Sequence, residues 1–251
     1  MNKDDLTIYP IKIDESVLNE VEKYPLPNIP FFMCIVGRVR AGKTLLSGTL
    51  CHRSEPFYAD DFQVKILIST TARNDALMKP LIDSYDFFFD TYSDHLLEEI
   101  VEMVENDPCP NRYLLVLDDV ITSGFSQSKS GKTDYFTSLV TRYRHIANLE
   151  HEREGMLSII LCVQYFKYLT PITRSNCSGL IIAGDIADQE IGKIAEAYDF
   201  ITGSSQNFLK HYKECRKEPY DFCYCNINKL EMSRNFGEAI FKKDLLKVNQ
   251  D

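Results

Sequence analysis

Residues 37 to 44 of this 251-residue chain carry the spacing that most clearly indicates chemistry. They read Gly37-Arg-Val-Arg-Ala-Gly-Lys-Thr44 and match G-x-x-x-x-G-K-[ST], a pattern that binds nucleotide phosphates. Glycines let such a loop turn its N–H groups towards phosphate oxygens, and the following helix adds the positive end of its dipole. We expect Lys43 to reach the β- and γ-phosphates and the Thr44 hydroxyl to hold Mg²⁺. The expected phosphate-binding residues are Gly37, Arg38, Val39, Arg40, Ala41, Gly42, Lys43, Thr44 and Leu45.

A second segment, Ser130-Gly-Lys-Thr133, repeats the end of this pattern. No apolar strand precedes it, and residues 126–130 are polar. The segment is therefore predicted to be a mobile loop rather than a second nucleotide site.

Two adjacent acids follow the apolar run Tyr113–Leu117 and resemble a Walker B strand. We expect this strand to lie next to the strand that precedes the phosphate loop. A carboxylate at its end can hold the water shell of Mg²⁺, and Asp118 is assigned this role. Asp119 is expected to orient a water molecule as a base, at a position where hydrolytic ATPases often carry Glu. A turn or a helix cap is the alternative explanation of an Asp-Asp pair.

Gln164 follows another apolar run, Leu157–Val163. Polar residues at the carboxyl ends of parallel strands lie in the crevice where ligands bind. A glutamine there can bridge the γ-phosphate and an attacking water, although it can also be an ordinary polar residue after a strand.

Three arginines are candidates for contacting the phosphates of a neighbouring subunit: Arg142, Arg144 and Arg174. For any one of them taken alone, a surface charge is the better explanation.

The elements that must position these residues alternate between strands and helices. Continuous apolar runs predict strands at residues 31–36, 64–68, 87–89, 113–117, 157–163 and 180–183, with an edge strand at 220–225. Helical stripes are predicted at Leu97, Ile100, Val101 and Val104, at Phe136, Leu139, Val140, Tyr143 and Ala147, and at Ile191, Ile194 and Ala195, with Ser93 as an N-cap. This alternation predicts an α/β fold, a three-layer P-loop NTPase domain with a RecA-like (ASCE-type), mostly parallel sheet.

Composition excludes disordered and fibrous classes. Apolar residues make up 44% of the chain and charged residues 26%. The net charge of −9 argues against a monomer that coats nucleic acid, although a ring can still have a locally basic inner surface. No apolar run is long enough to span a membrane, and no secretory signal is expected from the first residues.

Eight cysteines are scattered through the sequence, so we expect reduced thiols in a soluble protein of a reducing cytosol. His211, Cys215, Cys223 and Cys225 are the nearest approach to a zinc site, but they lack paired C-x-x-C spacing. Reduced structural thiols are the simpler interpretation.

The order of these signals resembles a known family. The phosphate loop, Leu117-Asp-Asp119, Arg144-His145, Leu157-Ser158, Gln164, Pro171 and Arg174-Ser-Asn176 resemble the poxvirus-type genome-packaging ATPases of large DNA viruses and virophages, in the FtsK–HerA superfamily. The resemblance spans residues 31–184, and its specific part is the spacing from Gln164 to Asn176. The small size is most similar to virophage members.

The resemblance implies an ATP-driven motor that threads double-stranded viral DNA into a preformed capsid. Such proteins work as homo-oligomeric rings with ATP and Mg²⁺ between subunits, in the virus factory of the host cytoplasm and possibly in the virion. It implies phosphate, metal, water and sensor roles for Lys43, Thr44, Asp118, Asp119 and Gln164, and a sensor or trans-acting finger at Arg174, with Arg144 ranked second. Capsid proteins are implied partners.

This sequence departs from the family pattern in three places. A charged loop at residues 148–155 lengthens the path after Arg144-His145, and Arg142-Tyr143 stands before that pair in place of an expected glycine. The interior of the phosphate loop lacks an extra glycine, so Arg40 is a further candidate to touch phosphate or an adjacent subunit.

The lysines of residues 126–132 and 210–217 are the candidate contacts to the DNA backbone. The chain is divided into an N-terminal extension (1–30), which is expected to pack on a neighbour or the capsid, a P-loop ATPase domain (31–226) and a C-terminal helical tail (227–251). Two other functions stay open: a nucleotide-binding scaffold for capsid assembly with little turnover, because Asp119 replaces Glu, and a small-molecule kinase, for which no arginine-rich lid segment is found.

Overall fold

A single nine-stranded sheet organises the computed structural model, which describes residues 21–76, 78–120 and 134–243. Its spatial order is β3-β2-β4-β5-β1-β6-β7-β8-β9. The strands are β1 (Phe32–Val36), β2 (Val64–Ser69), β3 (Phe87–Phe89), β4 (Tyr113–Asp118), β5 (Leu157–Val163), β6 (Gly179–Ala183), β7 (Phe222–Asn226), β8 (Glu231–Arg234) and β9 (Ala239–Lys242). The first six are parallel, and the last three add antiparallel pairs.

Helices connect the parallel strands, as the alternating sequence predicts. They are α1 (Lys43–His52), α2 (Asp94–Glu105), α3 (Tyr135–Arg142), α4 (Pro171–Ser175), α5 (Asp188–Ala197), α6 (Asp199–Thr202) and α7 (Ser205–Cys215). The predicted N-cap at Ser93 is confirmed, since its hydroxyl accepts the Leu96 N–H at 3.1 Å. The three predicted stripes are buried, except that Ala147 is half-buried and Tyr143 lies in a 3₁₀ turn after α3.

Helices and loops cover both faces of the sheet. Along β1, Phe32, Cys34 and Val36 pack with α2, α3, α5 and α7 on one face. Met33 and Ile35 pack on the other face with α1 and with Leu26 and Ile29 of the N-terminal segment. Strands buried on both sides need continuous apolar runs, which is why the sequence located them well. The predicted three-layer α/β fold is confirmed.

The prediction that the strand ending at Asp118 lies next to the strand before the phosphate loop is wrong. β5 lies between β1 and β4, and Cys34 is in register with Leu161 while Asp118 is in register with Cys162. Local apolar runs identify strands but contain no information about their lateral order. The acids after β4 therefore lie two strands from the phosphate loop, and Gln164 at the end of β5 lies between them.

The C-terminal segment also differs from expectation. Residues 231–242 form β8 and β9, not a helix, and β7 is an interior strand rather than an edge. Strand pairing explains the change, because β8 pairs with β7 and β9 pairs with β8, and this places Met232 fully inside the core. Residues 244–251 lie outside the described part.

The described end of the N-terminal extension packs on its own domain. Leu26 and Ile29 are fully buried, and the Pro27 carbonyl accepts the Tyr58 hydroxyl at 2.7 Å. The Pro25 carbonyl accepts the Tyr224 hydroxyl at 3.1 Å. Leu26 and Ile29 thus belong to the core of their own domain, whereas Glu22 and Tyr24 are exposed. Residues 1–20, which were also expected to contact a neighbour, lie outside the described part. Across the described ranges, no helix combines the length and apolar character needed to cross a bilayer.

Candidate nucleotide site

The phosphate loop begins at Gly37, where β1 ends against the end of β6. A Cβ at this position would lie 2.7 Å from the Ala183 carbonyl oxygen and 2.9 Å from the Ala41 Cβ. Any side chain here would force the loop and β6 apart. The first glycine of the pattern is therefore required by a close approach of two backbones.

The remainder of the loop turns sharply into α1. Arg40 and Gly42 have positive φ values of 64° and 86°, and the Ala41 N–H donates to the Arg38 carbonyl at 3.1 Å. Gly42 is the N-cap of α1 and supplies no side-chain cap, and the first turn contains no acid. The helix thus begins without a carboxylate or hydroxyl on its N–H groups, the arrangement that suits a phosphate. Thr44 is the second residue of this helix.

Lys43 lies inside the loop rather than in solvent, with 7% of its surface exposed. Its Nζ donates to the Gly37 carbonyl at 3.0 Å and to the Arg38 carbonyl at 3.2 Å. These two bonds hold the ammonium group across the mouth of the loop. The charge is fixed where a phosphate oxygen would meet it.

Asp118 ends β4 as a buried carboxyl, with 3% of its surface exposed. Its Oδ2 accepts the Ser69 hydroxyl at a long 3.5 Å. Burial, assisted by the charge of Asp119, raises the pKa of Asp118 to about 7, although the charge of Lys43 acts in the opposite direction. A buried carboxylate with one weak hydrogen bond is a suitable ligand for a cation.

Asp119 and Gln164 meet at the same edge of the sheet. The Gln164 Nε2 donates to the Asp119 Oδ1 at 3.2 Å. Asp119 has a positive φ of 50°, and its carbonyl accepts the Thr70 hydroxyl at 3.0 Å. The ends of β4 and β5 thus place an acid and an amide in direct contact.

Ser69 and Thr70 are site residues that the sequence reasoning missed. They follow the apolar part of β2 and bond to the side chain of Asp118 and the main chain of Asp119. The signal that singled out Gln164, a polar residue after a buried run, also applies to them.

A cleft of about 640 Å³ adjoins the phosphate loop on the β6 side. Residues 38–41, 164–165, 184–185 and 216–220 line it. The last two segments were not predicted. Gly184 and Asp185 follow β6 as Gln164 follows β5, so the same rule finds them, whereas residues 216–220 are brought here by the α7–β7 connection.

Arg174 lies apart from this group, on α4. Its guanidinium carbon lies 4.0 Å from the centre of the Phe166 ring, and its Nη2 donates to the Phe166 carbonyl at 3.4 Å. Its Nε is buried without a hydrogen-bond partner, and burial lowers the pKa of this group. It lines a separate groove with Tyr198 and Phe200, away from the phosphate loop of its own chain.

Arg144 is also held by internal contacts. Its Nε donates to the Tyr143 hydroxyl at 2.9 Å, and that hydroxyl bonds to the buried Ser178 Oγ at 2.9 Å. The structure brings Lys43, Asp118, Asp119 and Gln164 together but groups neither arginine with them.

The remaining sequence candidates fall in three places. Lys210 and Lys213 are exposed on α7, whereas Lys217 lines the cleft beside the phosphate loop. Cys215, Cys223 and Cys225 are free, buried thiols, and among the residues with described coordinates no three His, Cys, Asp or Glu side chains form a metal-binding group. The segments at 126–132 and 130–133 lie outside the described part.

Solved structures share this architecture. The genome-packaging NTPase B204 from Sulfolobus turreted icosahedral virus 2, in complex with AMP, superposes with a TM-score of 0.55 at 16% identity, over 82% of this chain and 96% of B204. B204 of Sulfolobus turreted icosahedral virus, a DNA-packaging ATPase, gives 0.53 at 17% identity over 82% and 97%. The chain has the fold of a viral genome-packaging NTPase.

The fold is not confined to viral proteins. The pCW3 conjugation coupling protein TcpA, solved with ATPgS, gives a TM-score of 0.50 at 12% identity, over 84% of this chain and 65% of TcpA. The sequence itself matches no protein-family model and no curated protein. The resemblance to packaging ATPases inferred from the sequence is confirmed at the level of the fold.

Proposed function

We propose that this protein is an ATPase that translocates double-stranded DNA, and that the DNA enters a preformed viral capsid. The observation that carries the proposal is the grouping of Asp119 and Gln164 beside Asp118 at the carboxyl edge that also holds the phosphate loop. An acid bonded to an amide at this edge suits water as the nucleophile. The solved structures with this fold include a DNA-packaging ATPase and a conjugation coupling protein, which supports DNA as the substrate.

The nucleotide is held by the phosphate loop. Main-chain N–H groups of the phosphate loop would donate to phosphate oxygens, and Lys43 would place its fixed charge against them. Thr44 and Asp118 would hold Mg²⁺, which neutralises phosphate charge when it is bound. The buried, weakly bonded carboxyl of Asp118 fits this role, because ionisation without a cation is costly there.

Hydrolysis uses the pair at the next strand ends. Asp119 accepts a hydrogen bond from water and orients its oxygen towards the γ-phosphorus, as the base of the reaction. The amide of Gln164 holds the Asp119 carboxylate from one side and leaves its own oxygen for the water. The water oxygen forms a bond to the γ-phosphorus as Asp119 takes the proton of the water, the bond from phosphorus to the β–γ bridging oxygen breaks, and ADP and phosphate leave.

A homo-oligomeric ring completes the site. In this proposal Arg174 acts on the nucleotide of the adjacent subunit, because it lies away from the phosphate loop of its own chain. Its Nε is buried without a hydrogen-bond partner, and its guanidinium stacks on the Phe166 ring. The side chain therefore gains hydrogen bonds when it leaves this position and contacts a phosphate. Lys210 and Lys213 are exposed and available to the DNA backbone.

A nucleotide-binding scaffold with little turnover is the second candidate. The internal contacts of both Arg174 and Arg144 favour it, since a chain without a free arginine finger hydrolyses ATP slowly. Stimulation of turnover by DNA or by empty capsids separates the two functions.

The experiment is ATP hydrolysis at low salt, with and without double-stranded DNA, because phosphate contacts weaken steeply as salt rises. We expect stimulation by DNA in the natural protein and loss of turnover in Lys43→Ala and Asp119→Asn. Lys193→Ala and Asp60→Asn, at exposed residues outside the site, are the matched controls. Turnover that survives both site variants would overturn the catalytic assignment, and turnover indifferent to DNA and to empty capsids would overturn the motor.

A further inference from the structure

The cleft beside the phosphate loop has an unusual share of exposed apolar surface. Of the nine large apolar side chains exposed in the described residues, three line it: Val39 (68% exposed), Tyr165 (44%) and Tyr220 (98%). Val39 belongs to the phosphate loop, and Tyr220 to the segment after α7. Tyr165 follows β5, so three separate segments leave apolar groups in water at one concave site, which indicates a ligand with apolar faces.

Tyr220 is held in its exposed position by a fixed turn. Its φ is 71°, a conformation that a tyrosine adopts only at a cost in free energy. The Asp221 N–H donates to the Glu218 carbonyl at 3.2 Å, and the Glu218 N–H donates to the Asp221 carboxylate at 2.7 Å. Arg234 and Asn235 bond to the same carboxylate at 2.7 and 3.1 Å. The aromatic ring is therefore presented to the cleft before any ligand binds.

The polar groups of the cleft complement this ring. The carboxylate of Asp185 is fully exposed and accepts the Arg216 Nη2 at 2.9 Å. A carboxylate with free lone pairs accepts hydrogen bonds from sugar hydroxyls. Exposed Arg38 and Arg40 lie on the loop side, where phosphates are expected. An aromatic ring, a carboxylate and cations thus line one cleft, and these are the kinds of group that bind a base, a ribose and phosphates.

We propose that this cleft is the nucleoside subsite, in which the Tyr220 ring stacks on the base and Asp185 accepts bonds from the ribose hydroxyls. The inference rests on the proposed function, since it extends the ligand of the phosphate loop. Stacking contacts the flat face of a base and not the hydrogen-bonding groups on its edge, in which adenine and guanine differ. ATP and GTP are therefore expected to bind with similar affinity. Tyr220 and Asp185 contribute affinity for the nucleoside and nothing for the triphosphate chain.

Because different residues bind the nucleoside and the triphosphate chain, separate affinities for ATP and for triphosphate test the proposal. Calorimetry measures binding of ATP and of inorganic triphosphate, both with Mg²⁺, to the full chain. Tyr220→Asn removes the ring but retains a residue that tolerates positive φ. We expect it to weaken ATP binding about 5- to 100-fold and to leave triphosphate binding unchanged. Tyr220→Phe restores ATP binding, and Asp185→Asn weakens ATP binding only.

The matched control is Tyr24→Asn, at an exposed tyrosine outside the cleft, and it should change neither affinity. If Tyr220→Asn leaves ATP binding unchanged, or weakens ATP and triphosphate equally, the subsite assignment is wrong. Failure of the proposed function would give a different result. The natural protein would then bind neither ATP nor triphosphate, or Lys43→Ala would leave the affinity for both ligands unchanged.

Discussion

Gln164 donates its side-chain amide to the carboxylate of Asp119 at 3.2 Å, across 45 residues of sequence. Each residue follows the end of a parallel strand, and β4 and β5 are adjacent, so the contact is a direct product of sheet order. The pair fixes the direction of the acid, which the left-handed backbone of Asp119 also constrains.

Removal of this amide should affect the chemical step. We expect Gln164→Ala to lower kcat for ATP about 10²-fold, within the range of a lost acid–base contribution, with KM changed less than threefold. Steady-state kinetics with saturating DNA measures both parameters. Gln63→Ala, which changes a glutamine near the start of β2, is the control. If KM instead rises by a similar factor and kcat does not change, Gln164 acts in ground-state binding.

The first glycine of the phosphate loop should be sensitive to a single methyl group. Gly37→Ala places a Cβ 2.7 Å from the Ala183 carbonyl oxygen, so we expect a loss of about 1–3 kcal/mol in the free energy of unfolding. Gly192→Ala is the control, because nothing lies within 4 Å of its Cβ and it sits within α5. This control should gain about 0.5–1 kcal/mol. Urea unfolding measures both variants, and equal effects would contradict the packing argument.

The buried carboxyl of Asp118 should make stability depend on pH. Its pKa is about 7 in the folded protein and near 3.8 without these surroundings, so the folded state binds more protons between these values. The free energy of unfolding therefore falls as pH rises through this interval. Asp118→Asn removes the effect, and we expect it to stabilise the nucleotide-free protein by about 1–3 kcal/mol at pH 8 and less at pH 5.

Thermal or urea unfolding of both proteins at several pH values checks this expectation. Asp60→Asn, at an exposed aspartate, should stay within about 0.5 kcal/mol of the natural protein. A stabilisation by Asp118→Asn that does not vary with pH would show that the carboxyl is already ionised in the folded state at low pH.

Mixed rings should reveal on which nucleotide Arg174 acts. Lys43→Ala and Arg174→Ala are each expected to be inactive alone. When they are mixed, some interfaces pair an intact phosphate loop with an intact Arg174 from the adjacent subunit, and activity returns. A mixture of Lys43→Ala and Asp119→Asn leaves every site defective and should stay inactive. Recovery in neither mixture, despite ring formation, would assign Arg174 to its own subunit.

The sequence predicted those parts of the site that depend on local pattern. Apolar runs located β1, β4 and β5, and the polar residues after them identified Asp118, Asp119 and Gln164. The lateral position of β5 was missed because strand order depends on crossovers, not on composition. Residues 216–220 were missed for the same reason, since a turn after α7 reaches the phosphate loop only when β7 pairs with β6.

The C-terminal strands show a different failure. Residues 227–251 were predicted to form a helical tail, but Lys242 Nζ forms an ion pair with the buried Glu231 at 2.7 Å across the β8–β9 pair. Cross-strand partners of this kind are invisible in a single short segment.

The contact between Gly184 and the phosphate loop joins two turns at the edge of the sheet. A Cβ on Gly184 would lie 2.6 Å from the Ala41 Cβ, so the loop rests directly on the turn after β6. Arg216, just past the end of α7, bonds to Gly184 and Asp185 and joins that turn to the helix. A continuous series of contacts therefore runs from Ala41 of the phosphate loop, through the turn after β6, to the end of the helix that carries the exposed Lys210 and Lys213. In the proposed motor, this series of contacts is the route by which a shift of the phosphate loop would reach those lysines.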